Sequence, residues 1–205
     1  MREKAEAFFL RTAGIVDPDE VDATVKLVRT SRFVAGQLAK NPGRQSSHQK
    51  IFGAWLQTLP EPLVRDCKPL KSTGPDSVHV ALGRAQSFAQ RSERPEGANG
   101  KSIDFMWTTN GVTVYASHKH TEDEGGAQDN QYHDVQKFLE HAHRSTQKNV
   151  RFVAVCDGAY YQRRSRENND MTRIDHMRAT CSINTMALSS TELVGWLADV
   201  AAGRA

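Results

Sequence analysis

The sequence predicts an α/β fold, a mixed central sheet flanked by helices and preceded by an N-terminal helical region, on three observations. Residues 102–107 and 111–117 read as strands on either side of Asn110-Gly111, a pair whose tolerance of positive φ suits a two-residue hairpin turn. Residues 130–145 place Tyr132, Val135, Phe138, Leu139 and Ala142 on one face at helical spacing, a stripe that can lie on a sheet. Residues 151–157, RFVAVCD, form a short apolar run, as expected of a strand covered on both faces.

The remaining elements follow in order, with residues 1–75 expected to form the helical region and 76–205 the core. AEAFFLRTA reads as a first helix. Asp17-Pro18-Asp19-Glu20 opens a second, because an acidic cap and a first-turn proline suit a helix start, and Val21, Val25, Leu27 and Val28 supply its buried stripe. A turn over 41–47 leads to a third helix over 48–59, which Pro60 and Pro62 end. Val78, Leu82, Ala85, Phe88 and Ala89 recur at helical spacing and predict a helix over 76–89, and RSERPEGANGK after it has loop composition. Beyond residue 157 come a basic, polar loop, a strand in TCSINTMAL and a closing helix from Ser190, with Glu192 as its capping acid.

At 205 residues and 38% hydrophobic content, the chain can bury one substantial core. No apolar run approaches the ~18 residues of a membrane span, and MREKAEAFFLRTAG lacks the apolar core and cleavage site of a signal peptide, so a cytoplasmic protein is expected. Cys67, Cys156 and Cys181 are odd in number and widely spaced, which favours reduced structural thiols. The net charge of +3, from 27 basic and 24 acidic residues, permits nucleic-acid binding without requiring it, since a phosphate-binding face depends on local clustering.

The chemistry concentrates on Asp104, in S-I-D-F, and Lys119, which closes V-Y-A-S-H-K on the partner strand of the predicted hairpin. Phosphodiester cleavage needs charge neutralisation at the phosphate, an activated water and a stabilised leaving oxygen. A carboxylate-held divalent metal and a lysine supply these together. With an aspartate on one strand and a lysine motif on its hairpin partner, the sequence resembles the PD-(D/E)xK nuclease superfamily over roughly residues 100–200. Ser117 stands where the common motif has an acid, and no proline precedes Asp104. Ser117-His118-Lys119 is instead similar to the Ser-x-Lys branch of type II restriction endonucleases.

The resemblance implies a restriction-endonuclease-like core and Mg²⁺-dependent hydrolysis of double-stranded DNA at a specific sequence. It also implies a homodimer, and a cognate DNA methyltransferase acting on the same site. Its catalytic set is Asp104, Lys119, Ser117 and Asp134, with Mg²⁺ held by Asp104, by Asp134 from the following helix and by a backbone carbonyl at His118; Asp129 and Glu122 are the fallback acids.

Arg163, Arg164, Arg166, Asn168 and Asn169, in a run continued by Arg173 and Arg178, combine phosphate-seeking guanidiniums with amides that can read base edges. Arg44 and Gln45 open a second polar cluster of DNA-contacting types, and a solvated loop is the competing reading of such charge runs. His118 and His120 are expected on one face of their strand, opposite Lys119, and would form a zinc pair only if Cys156 or His133 joined them. Trp55, Trp107 and Trp196 sit among apolar neighbours and are expected to be buried. Two rivals to the restriction reading stay open: a repair or recombination nuclease on the same core, and a catalytically inactive DNA-binding or partner-binding module.

Overall fold

The computed structural model describes residues 18–19, 22–23, 26, 45–92, 100–122 and 126–205. The first expected helix lies outside the described residues, and Pro18, Asp19, Asp22, Ala23 and Lys26 of the second are helical. The described chain then runs α1 (Gln45–Leu56), β1 (Arg65–Pro69), β2 (Val78–Ala81), β3 (Arg84–Ser87), α2 (Phe88–Ser92), β4 (Lys101–Ser102), β5 (Phe105–Thr109) and β6 (Val112–His120). It continues through α3 (Gly126–His143), β7 (Val150–Asp157), α4 (Ala159–Gln162), α5 (Arg173–Ala179), β8 (Thr185–Leu188) and α6 (Ser190–Ala201).

The expected α/β architecture is present, with a mixed five-stranded sheet of order β1-β5-β6-β7-β8. It is antiparallel across β1, β5 and β6 and parallel from β6 to β8, while β3-β2-β4 form a second, antiparallel sheet. Helices cover both faces of the main sheet. On one, α3 lays the five expected side chains, Tyr132, Val135, Phe138, Leu139 and Ala142, against Phe152, Ala154 and Cys156 of β7 and Ala187 of β8. On the other, Phe52 and Leu56 of α1 and Leu193 and Leu197 of α6 meet Phe105, Trp107, Val114, Ala116, Val153 and Val155. Alternate residues of β7 feed the two layers, which is why its sequence shows no polar alternation. Burying a side chain such as Phe152 or Leu197 is worth about 1.5–3 kcal/mol, so both helical layers are held to the sheet by the same kind of contact. Trp107 is fully buried in the second layer, and Trp55 and Trp196 are half-buried against it.

Asn110 and Gly111 turn β5 into β6 with φ of 44° and 82°, as the dipeptide predicts. The helix expected over 76–89 is instead the hairpin β2–β3. Leu82 and Gly83, with φ of 50° and 76°, make another two-residue turn between the paired Ala81 and Arg84. The apolar spacing there fits both periods, but Val78 and Val80 alternate, and a glycine at the turn decides for the hairpin. Leu82 accordingly stands exposed on the turn.

Other boundaries also differ. The stretch expected to be helical up to residue 75 contains β1, which pairs with β5 across a bulge between Arg65 and Lys68. α1 starts within the expected turn and ends at Leu56. The polar loop after β7 contains α4 and α5. Thr172 caps α5, its hydroxyl accepting the Asp175 N–H at 3.2 Å, so Thr172-Arg173-Ile174-Asp175 is a capping sequence that periodicity alone passes over. Before α6, the Glu192 carboxylate accepts the Ser189 N–H at 2.8 Å, as the closing-helix expectation requires. The three cysteines are free thiols, and no described helix is long and apolar enough to cross a membrane.

Ser102 belongs to β4 and pairs with β2, not with the strand that follows. Residues 103–104 therefore carry the chain from the small sheet to the main one. Asp104 is locked there by its backbone, its N–H donating to the Ala116 carbonyl and its carbonyl accepting the Leu70 N–H, both at 2.8 Å.

β7 turns at once into α4 through Gly158 (φ 97°), where an added Cβ would stand 2.3 Å from the Thr121 carbonyl oxygen. Thr121 N–H donates to the Asp157 carbonyl at 2.9 Å and Tyr160 N–H to the Thr121 carbonyl at 3.1 Å, so neither segment is free to retreat. Gly158→Ala should therefore lower the unfolding free energy by more than ~2 kcal/mol, against ~1 kcal/mol for Gly111→Ala. A Cβ on Gly111 meets nothing within 4 Å, and urea denaturation midpoints of the two variants check the ordering.

Candidate active site

Backbone hydrogen bonding dictates what stands at the end of β6. In an antiparallel ladder the N–H and C=O of one residue point to the same neighbouring strand. Those of Ala116 and His118 face β5, but β5 begins only at Phe105, opposite Ala116. His118 lies beyond that ladder, and a buried peptide there needs other partners. Asp104 supplies one: its Oδ2 accepts the His118 N–H at 2.8 Å and the Ser117 hydroxyl at 3.3 Å. The His118 carbonyl accepts from Gln49 Nε2 of α1 at 3.4 Å.

Lys119 shares the face of Ser117, and its Nζ stands 3.7 Å from the same Asp104 Oδ2. The side chains of Lys119 and Asp104 are only 18% and 9% exposed, so this ion pair is screened less than one on the open surface. The structure thus brings Asp104, Ser117 and Lys119 together at the C-terminal end of β6, beside the parallel strand β7.

His118 and His120 project to the opposite face, as alternation predicts. The Phe52 ring lies on the His118 ring, centroids 4.3 Å apart at 3°, and the His48 ring on His120 at 3.7 Å and 6°. Residues four apart on α1 are thereby matched to residues two apart on β6. His118 Nε2 is 3.0 Å from Asp157 Oδ2, while Asp157 Oδ1 accepts the Ser190 N–H at 2.8 Å, at the start of α6. Burial acts to raise the Asp157 carboxyl, but the hydrogen bond and charge of His118 and the bonds from Ser190 outweigh it and hold the group below its ordinary value. Cys156 lies in the other core layer. Among the described residues no cluster of three or more His, Cys, Asp or Glu is placed to hold a metal ion.

Asp134 stands exposed on α3, its carboxylate bonded to Lys101 Nζ of β4 at 2.5 Å and not to Asp104 or Lys119. Of the fallback acids, Asp129 accepts the Tyr160 hydroxyl at 2.6 Å and Arg166 at 3.1 Å, and Glu122 stands 2.8 Å from His120 Nε2 and accepts the Ala159 N–H at 3.3 Å. Arg163, Arg164, Arg166 and Asn169 are exposed on the loop between α4 and α5, and Asn168 is half-buried. Arg164 donates to the Asn169 carbonyl, and Asn168 Oδ1 accepts the Asp170 N–H at 3.0 Å, so the loop is tied by its own polar groups. Arg173 leaves that surface: it is buried 3.9 Å above the Tyr160 ring and donates to the Tyr160 carbonyl. Arg178 binds the Ala187 carbonyl and Glu192. Arg44 and the side chain of Gln45 lie outside the described residues.

What the site offers a divalent cation is the Asp104 carboxylate, whose three contacts all fall on Oδ2, and the neighbouring His118 carbonyl. Mg²⁺ keeps several waters and is commonly held by one or two carboxylates together with substrate phosphates, so this donor set fits a hydrated Mg²⁺. The Ser117 hydroxyl, bonded to the carboxylate, orients it.

Sequence reading does not single out Gln49, and it places Asp157 only at a strand end that shares in the resemblance, with no role of its own. Gln49 precedes Phe52 and Leu56 at the spacing of the buried face of α1, and a polar residue at that spacing is the signal that could have marked it. Asp157 is the acid that closes an otherwise apolar strand end.

Burial pushes the His120 imidazole down to about 4, against the opposing charge of Asp157. Because this lies below the unfolded value of about 6.5, the unfolded chain binds more protons in between; the stability is full above pH ~6.5 and is lost as pH falls towards 4. The effect amounts to at most ~3 kcal/mol. His120→Phe should flatten this part of a plot of urea midpoint against pH.

No protein-family model, no curated protein and no solved structure matches the chain, so the reading of the site rests on its own geometry and chemistry.

Proposed function

We propose that the chain is a Mg²⁺-dependent endonuclease that hydrolyses double-stranded DNA at a specific sequence, with a restriction-endonuclease-like core of the PD-(D/E)xK kind in its Ser-x-Lys form. One observation carries the proposal: the Lys119 ammonium and the Asp104 carboxylate stand 3.7 Å apart at the end of paired strands, largely shielded from water. A mixed sheet in which that hairpin is followed by a helix and a parallel strand supports it.

In this reading Asp104 holds the cation, with the His118 carbonyl as a neighbouring donor. A divalent cation held there would supply charge neutralisation at the phosphate and make a nearby water easier to deprotonate. Lys119 orients the attacking water and offsets charge gathering on the phosphate oxygens, while Ser117 keeps the carboxylate in place. Asp134 has one carboxylate oxygen, Oδ1, bonded to Lys101.

Arg163, Arg164, Arg166, Asn168 and Asn169 follow β7 at the carboxyl end of the parallel strands, where open α/β sheets bind ligands, and are assigned to DNA, as are Arg44 and Gln45. Symmetric cutting of two strands calls for a homodimer, and protection of host DNA for a methyltransferase of the same specificity. The Lys101–Asp134 bond favours a second reading, a catalytically inactive DNA-binding or partner-binding module with a single carboxylate at the centre.

Incubation of the full chain with unmethylated phage DNA and Mg²⁺ should give discrete fragments, and Asp104→Ala and Lys119→Ala should each slow cleavage by ~10²–10³-fold or more. Fragments without defined ends would indicate a repair or recombination nuclease. DNA binding that persists in Mg²⁺ with no cuts would leave the inactive module.

A further inference from the structure

The end of β6 presents both backbone groups of His118 to space that β5 does not fill. Asp104 takes the N–H and Gln49 the carbonyl. Since both groups of one extended residue face the same way, the carboxylate and the amide stand along one edge, a single residue apart. The turn of α1 that carries Gln49 is pinned to β6 on either side, by the stack of His48 on His120 and of Phe52 on His118. Gln49 is half-buried, and Phe52 and Leu56 continue its stripe into the core. Ser117 replaces the acid of the common motif, and Asp134 is engaged by Lys101.

We propose that Gln49 is the second side-chain donor of this centre, its amide nitrogen holding the His118 carbonyl and its amide oxygen serving a hydrated divalent cation beside Asp104. The proposal deepens the nuclease reading and rests on it. An amide oxygen is a ligand for hard cations but brings no charge, so the centre carries one carboxylate of its own and relies on substrate phosphates for the rest. A glutamate of nearly the same shape would add the charge that Ser117 withholds, while giving up the N–H that holds the His118 carbonyl.

Mn²⁺ is the probe, counted by the loss of its free-ion electron paramagnetic resonance signal as it is titrated into the full chain without DNA. Gln49→Glu should tighten Mn²⁺ binding about tenfold or more, the scale of a charge added close to a cation in a protein environment. Gln49→Leu should weaken it severalfold, and Asp104→Asn should abolish it. Loss of fold cannot imitate this pattern, because it would weaken binding in both Gln49 variants. Equal affinity in wild type, Gln49→Glu and Gln49→Leu, with Asp104→Asn still defective, would overturn the role of Gln49 and leave the nuclease reading standing. Mn²⁺ binding that is indifferent to Asp104→Asn, or absent from wild type and Gln49→Glu alike, would sink the nuclease reading and this proposal with it.

Discussion

The site is organised around one peptide group. β6 outruns β5, and the His118 N–H would be left without a strand partner in a place largely closed to water, at a cost of about 1–3 kcal/mol. An acid is the residue type best able to answer that need, since a carboxylate accepts several donors at once. Asp104 does so because the chain crosses from the small sheet to the main one there, with its backbone bonded to β6 on one side and to Leu70 on the other. The interaction that ends the ladder is thus the one that aims a carboxylate at Lys119.

The two faces of β6 divide the work. Ser117 and Lys119 serve the carboxylate, while His118 and His120 lie under the rings of Phe52 and His48. Because side chains alternate, a one-residue slip of β6 would put the ammonium under an aromatic ring and an imidazole beside the acid, so the stacks fix the register on which the ion pair depends. Asp157 extends the link to the start of α6, joining the last helix to the His118 ring.

Much of this was legible in the sequence where a single physical rule governs. Asn110-Gly111 forces a turn, the stripe from Tyr132 to Ala142 fits only a helix, and the middle of β7 has nothing polar to show water; together they bring Asp104 and Lys119 to one strand end. The reading failed where two periods fit the same residues, as at Val78 to Phe88, or where the deciding contact is distant in sequence. β1 forms because β5 offers it an edge, and Asp134 is engaged because β4 lifts Lys101 to it. Gln49 and Asp157 gain their importance from a backbone atom and a ring more than thirty residues away, which local patterning does not encode.

β1 bears on how copies of this chain meet. Among the described residues it closes one side of the main sheet, and it does so with a bulge, a positive φ at Asp66, exposed Arg65 and Lys68, and Pro69, which has no N–H to offer. Such a margin is a poor template for a further strand. On that side copies of the chain would not fuse their sheets, and a crowded solution is protected there from fibrous growth.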